Sequence, residues 1–136
     1  MLRLVPPQQL HEVWGWVRNG LIVAAKRGGG HHLPEDVYGA IKAGVSHLFA
    51  VESKGDDVGF IVFQRLADAD GPVLFVFALW LEPEAGRPIE QAMYAAVERK
   101  AREIGAVRIR MQSAREGWKR RPFFVPVATI YEYEVK

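Results

Sequence analysis

The stretch EAGRPIEQAM, residues 84–93, puts a glycine and an arginine just before a long helical pattern. Amides that open a helix, with a guanidinium beside them, are the chemistry of a phosphate cradle. Pro88 has no amide proton to donate, and Glu84 and Glu90 repel an anion. The stretch has the position of an anion site and only part of its donor set.

Other reactive groups are scattered. Glu52 and Glu82 each close a strand-like run. His31 and His32 follow three glycines, and adjacent imidazoles point apart in extended chain. A metal or phosphate contact there stands against a solvated loop. His11 falls on the polar side of a helical pattern and His47 starts a strand, so both read as structural. No H-x-x-x-H and no carboxylate pair at metal spacing occurs. The absence of cysteine excludes a thiol nucleophile, a disulfide scaffold and a cysteine zinc site. Residues 108–121 hold six basic residues against one glutamate, with Phe123 and Phe124 beyond. That is a candidate phosphate-binding stretch, or else Arg108 and Arg110 share one outer strand face.

Composition bounds what these groups can belong to. At 136 residues the chain has the length of one domain with a real core. With 49% hydrophobic and 25% charged residues it is globular rather than disordered. A net charge of +2 is weak support for nucleic-acid binding. No apolar run approaches the roughly 20 residues of a bilayer span, and the opening MLRLVPPQQL is not a signal peptide. A soluble cytoplasmic protein is expected, with no membrane partner.

The elements that must position these residues follow from periodicity. Residues 2–5 alternate as a short strand, and Pro6 and Pro7 end it. Leu10, Val13, Trp14 and Val17 give a helical stripe, which Asn19-Gly20 ends or frays. Residues 26–32 read as a loop and 33–44 as a second helix, with acids in its first turn. Strands are expected at 47–53 and from 58 to 66, joined by a turn at KGDD, residues 54–57. After a turn at ADADGP, residues 73–81 are apolar nearly throughout, which predicts a central strand covered on both faces. The longest helix spans 88–104, with Ile89, Met93, Ala96, Val97 and Ala101 inward and Gly105 as its cap. A strand at 106–112, a short helix or turn, and a closing strand over 123–135 complete the chain. The reading is one mixed α/β domain over 1–136, ordered β-α-α-β-β-β-α-β-(α)-β, with a mixed sheet of about six strands.

That order, with EPE after the apolar strand and VERKAREIGA closing the long helix, resembles the GNAT superfamily of N-acetyltransferases. Residues 44–49, of the form G…LF, and Arg115-Glu116-Gly117-Trp118-Lys119-Arg120 are similar to segments of the small GNAT-like proteins of bacteriophages and prophages.

The resemblance implies acetyl-CoA between the fourth and fifth strands. It assigns the pantetheine arm to the backbone of Ala78, Leu79, Trp80 and Leu81, and the pyrophosphate to Gly86, Arg87 and Ile89. Arg115 and Trp118 lie in the segment that follows the fifth strand, where the basic stretch can also meet the 3'-phosphate of CoA. Glu82 becomes the candidate general base. The family's pyrophosphate loop carries small residues where this chain has Pro88 and Glu90. The tyrosine that protonates the leaving thiolate is replaced by Trp118, an indole without that chemistry, so Tyr131, with Tyr133 nearby, is the candidate substitute.

Trp14 fits the first helix's core stripe, whereas Trp16 does not. Trp16 and Trp80 belong either to packed core or to an aromatic acceptor pocket between the first helices and the fourth strand. The expected activity is acyl-CoA-dependent N-acetyl transfer to a small-molecule or protein amine. A non-catalytic binding or assembly module that keeps the fold is the alternative, and a nucleic-acid-associated protein using residues 108–121 is the second. The alternation of VATIYEYEV suits pairing of the last strand across a homodimer.

Overall fold

The computed structural model describes residues 1–28 and 33–111, with 125, 127 and 133–135. β1 (Leu2–Val5) leads through a 3-10 turn at Pro7–Gln9 into α1 (Leu10–Gly28). Pro7 opens that turn, where a missing amide proton costs nothing. Then come α2 (Pro34–Lys42), β2 (His47–Ser53), β3 (Asp56–Asp68) and β4 (Gly71–Leu81). A 3-10 turn at Pro83–Ala85 precedes α3 (Gly86–Glu103), and β5 (Arg108–Met111) follows.

The five strands lie in the order β1-β2-β3-β4-β5. Neighbours are antiparallel except β4 and β5, which run parallel. A parallel pair needs a crossover, and α3 supplies it. The described strands number five rather than about six. The expected closing strand lies mostly outside the described residues, and Val125, Val127, Tyr133 and Val135 are exposed.

Helices cover both faces. On one, Leu10, Val17 and Leu21 of α1 and Val37 and Ile41 of α2 pack on Leu48, Ala50, Phe60 and Val62. On the other, Met93, Val97 and Ala101 of α3 pack on Phe49, Val51, Ile61, Phe63, Leu74 and Val76. Each large side chain so buried stabilises the fold by roughly 1.5–3 kcal/mol. Ser46, a buried polar residue, accepts a bond from Gln64 Nε2 at 2.9 Å.

Several boundaries differ from the sequence reading. α1 does not stop at Asn19-Gly20 but runs on to Gly28, because Leu21 continues the buried stripe. The first hairpin needs only Lys54 and Gly55, both left-handed at φ 53° and 84°, so β3 starts at Asp56. β3 and β4 likewise extend to Asp68 and back to Gly71, which narrows the second turn to two residues. In β4, Val73, Leu74 and Val76 are buried, but residues 77–81 are only half-buried. The expected covering on both faces therefore holds for its first half alone among the described residues.

Candidate active site

β4 carries one residue too many. Val62 of β3 faces Ala78, but the next residue, Phe63, faces Val76, so Phe77 is a bulge. A bulge reverses the alternation of side chains. Leu74 and Val76 point toward α3, Phe77 and Ala78 both join the α1 side, Leu79 and Leu81 return toward α3, and Trp80 faces α1.

The described pairing with β5 reaches the same point. Val73 to Val76 sit opposite Arg108 to Met111, and β4 runs on for five residues, 77–81, beyond the described part of β5. The ladder to β3 continues as far as Glu82, whose N–H donates to Val58 O at 2.8 Å. By antiparallel alternation Trp80 and Ala78 also turn their backbone groups to β3, so Leu79 and Leu81 turn theirs to the β5 side. Of the four strand residues singled out in the sequence, these two present backbone donors and acceptors where the described residues supply no partner. Gly59 lets β4 approach this closely: a β-carbon there would meet the Trp80 carbonyl and lie 2.6 Å from Leu81 Cδ2.

α3 begins five residues after β4. Glu82 is extended, residues 83–85 make the 3-10 turn, and Gly86 takes a left-handed φ of 84° that a side chain would resist. Gly86, Arg87 and Pro88 are exposed, while Ile89 packs on the α3-side core. The first amides of a helix have no intrahelical acceptor. Here Gly86, Arg87 and Ile89 supply such donors and Pro88 does not. Glu84 is exposed and Glu90 half-buried.

The carboxylates divide. Glu82 is half-buried at the strand end and makes no ion pair among the described residues. Glu52 is bound to Arg3 (Nη1–Oε1 2.6 Å), which also holds Asp57 (Nη2–Oδ2 2.8 Å). That pairing, Asp57 foremost, makes the Arg3 guanidinium still harder to deprotonate. Glu52 is thus a structural carboxylate joining β1, β2 and β3.

The described part of the basic stretch is also paired. Arg108 meets Asp70 at 2.6 Å and Arg110 meets Asp68 at 3.1 Å, across the β3–β4 turn. The Ala69 amide, and then Arg110, hold the Asp68 carboxyl below the usual carboxylate range. Among the described residues no cluster of three or more potential metal ligands occurs, and no helix is long and apolar enough to cross a membrane. His11 and His47 are exposed, and the His47 ring lies 5.6 Å from that of Phe63. His31, His32, Arg115, Trp118 and Tyr131 lie outside the described residues.

Trp14 meets Tyr38 of α2 edge-on at 4.9 Å. Trp16, off the core stripe, reaches Phe60 and Trp80 instead. The phase change at Phe77 and the part Arg3 plays had no signal in the sequence. A uniformly apolar strand hides a bulge, and the partners of Arg3 lie 49 and 54 residues away.

No protein-family model matches this chain, and no curated protein does. Solved structures match it over nearly its whole length. A GNAT family acetyltransferase from Staphylococcus aureus aligns with a TM-score of 0.67 at 12% identity, covering 99% of this chain and 98% of the other. A predicted acetyltransferase from Clostridium acetobutylicum, solved with acetyl-CoA, aligns at 0.69 and 11% identity, covering 98% and 95%. An aminoglycoside acetyltransferase from an uncultured soil metagenomic sample, in complex with sisomicin, aligns at 0.72 and 14% identity, covering 100% and 96%. The likeness is one of fold: this chain has the mixed α/β architecture of GNAT acetyltransferases.

Proposed function

We propose that this GNAT-fold chain is an N-acetyltransferase that moves an acyl group from acetyl-CoA to an amine. The observation that carries the reading is the β4 bulge at Phe77, followed within the same strand end by the exposed start of α3. Beyond it, Leu79 and Leu81 offer backbone groups to a peptide-like arm, and the exposed start of α3 follows directly.

The residues suit acetyl-CoA, with one donor fewer than an all-amide cradle. The pantetheine arm carries two amides, which match the backbone groups of Leu79 and Leu81 that have no partner among the described residues. The pyrophosphate fits the amides of Gly86, Arg87 and Ile89, and the Arg87 guanidinium adds charge where Pro88 lacks a proton. When bound, acetyl-CoA supplies a thioester; the C–S bond breaks as the amide C–N bond forms, one amine proton is lost and the thiol is released. Glu82, at the strand end and free of a cation partner among the described residues, takes the amine proton. Arg115, Trp118 and Tyr131 extend the proposal as residues that follow β5, Tyr131 as the acid that returns a proton to sulfur.

Thermal unfolding with and without acetyl-CoA tests this. A ligand at 100 times its dissociation constant adds about 2.7 kcal/mol to stability. No shift at millimolar acetyl-CoA rejects the reading.

Pro88 supports a second reading, a binding or assembly module of phage type that keeps the fold without the cofactor. It is exposed in the first turn of α3, where an amide would serve an anion best. Nucleic-acid binding is the third reading; in the described part of the basic stretch Arg108 and Arg110 are each held by an aspartate.

A further inference from the structure

Three rings meet where α1 crosses β3 and β4. Trp16 stands edge-on to Phe60 (5.7 Å, 72°) and to Trp80 (5.8 Å, 79°). Phe60 and Trp80 lie 6.0 Å apart at 34°. Phe60 is fully buried, yet both indoles are only half-buried. Trp80 reaches this place through the bulge at Phe77; without it the side chain would face α3. Gly20 lets α1 sit down on the group, since a β-carbon there would lie 2.9 Å from Phe60 Cζ and 3.2 Å from Trp80 Cδ2.

A carboxylate lies on the same face. Glu82 follows Trp80 by two residues, and its bond to Val58 keeps the strand alternation, so it shares the face of Trp80. Glu52 and Asp57, toward the same end of the sheet, are both engaged by Arg3. The face therefore combines two partly open indoles with one carboxylate that has no cation partner among the described residues.

We propose that this face is the acceptor site and that it selects a primary amine carried on an aromatic or similarly flat apolar group. The proposal rests on the acyl-transfer reading above. The indoles of Trp16 and Trp80 offer ring surface to the flat group, and their π-systems favour a cation nearby. The single carboxylate of Glu82 matches one ammonium. A polycation such as an aminoglycoside calls for several free acids, and Glu52 and Asp57 are committed.

Ligand-observed saturation-transfer NMR on the whole chain tests this without requiring turnover, with 2-phenylethylamine and propylamine as probes. The ring protons of 2-phenylethylamine should receive saturation and propylamine should not. Trp16→Ala should weaken 2-phenylethylamine about tenfold, and Trp16→Phe should restore most of the loss. Circular dichroism confirms that each variant is folded. If acetyl-CoA binds, the wild type should acetylate 2-phenylethylamine at least tenfold faster, in kcat/KM, than propylamine or sisomicin, and Trp16→Ala should remove that preference through KM. Equal response to both amines, or undiminished binding by a folded Trp16→Ala variant, overturns the proposal. Failure to bind acetyl-CoA overturns the acyl-transfer reading instead, and the NMR comparison still decides whether the aromatic amine site exists.

Discussion

Gly20 of α1 rests on the ring of Phe60, so close that an added β-carbon would come within 2.9 Å of Cζ. The contact sets the height of the helix above β3 and β4. It also sets two effects against each other in a Gly20→Ala variant. Alanine improves helix propensity by roughly 0.8–1 kcal/mol. Overpacking a filled core costs roughly 1–3 kcal/mol. The neighbouring atoms belong to a buried ring that cannot swing away, so the cost prevails. Urea denaturation should show a net loss of about 1 kcal/mol, and Gly20→Val a larger one. A gain in stability would mean that the helix can lift without penalty.

The start of α3 gives a prediction of gain. Pro88→Ala restores an amide at the one first-turn position that lacks it. If the pyrophosphate lies there, one more bond to a charged group should tighten acetyl-CoA about tenfold, corresponding to roughly 1.5 kcal/mol. Arg87→Ala should weaken it by a similar factor. Isothermal titration of both variants checks the pair; a Pro88→Ala affinity equal to the wild type places the diphosphate elsewhere.

Glu82→Gln separates base from binding. Removal of a general base typically costs 10²- to 10⁴-fold in rate. The fall should appear in kcat at neutral pH, with the KM for acetyl-CoA nearly unchanged. An unaltered kcat assigns the proton to another group.

Asp68 predicts an acid-side effect. Its folded-state carboxyl titrates below the usual range, chiefly because it accepts the Ala69 amide and then because of Arg110. A depressed carboxylate stabilises the fold above its unfolded value and loses that contribution as pH falls through the folded one. Asp68→Asn should therefore reduce the slope of stability against pH below about pH 4, and leave stability near pH 9 to 10 little more affected than at pH 7. Because the pair is exposed, the effect should shrink in high salt. Thermal melts across pH at two salt concentrations measure it.

Much of the architecture was legible because periodicity reports burial. Met93, Ala96, Val97 and Ala101 recur at helical spacing and are buried as a stripe, with Gly105 left-handed at φ 73° beyond them. The turn read at KGDD, residues 54–57, is present but takes only Lys54 and Gly55, the two left-handed residues. Asn19-Gly20 left the end of the first helix open for a physical reason: glycine mid-helix costs propensity, and only the tertiary contact with Phe60 reveals what it is for. For the candidate site, position is what can be compared: Gly86, Arg87 and Pro88 are exposed at the helix start, Ile89 packs inward, and Glu82 stands at the strand end. That Glu52 is ion-paired depends on Arg3, which no local pattern links to it. Residues 77–81 carry no alternation from which a reversal of faces could be read.

That reversal makes the end of β4 sensitive to length in a way that no single exchange of side chains reproduces. Losing the codon for Phe77 would let Val76 and Ala78 follow one another opposite Phe63 and Val62, and would leave Trp80 and the carboxylate after it on the side they now occupy. Gaining one codon just after Ala78 would instead press Trp80 and that carboxylate toward the methionine-lined layer and turn Leu79 and Leu81 to the tryptophan of the first helix. A one-residue deletion at position 77 should therefore be tolerated far better than a one-residue insertion just beyond it.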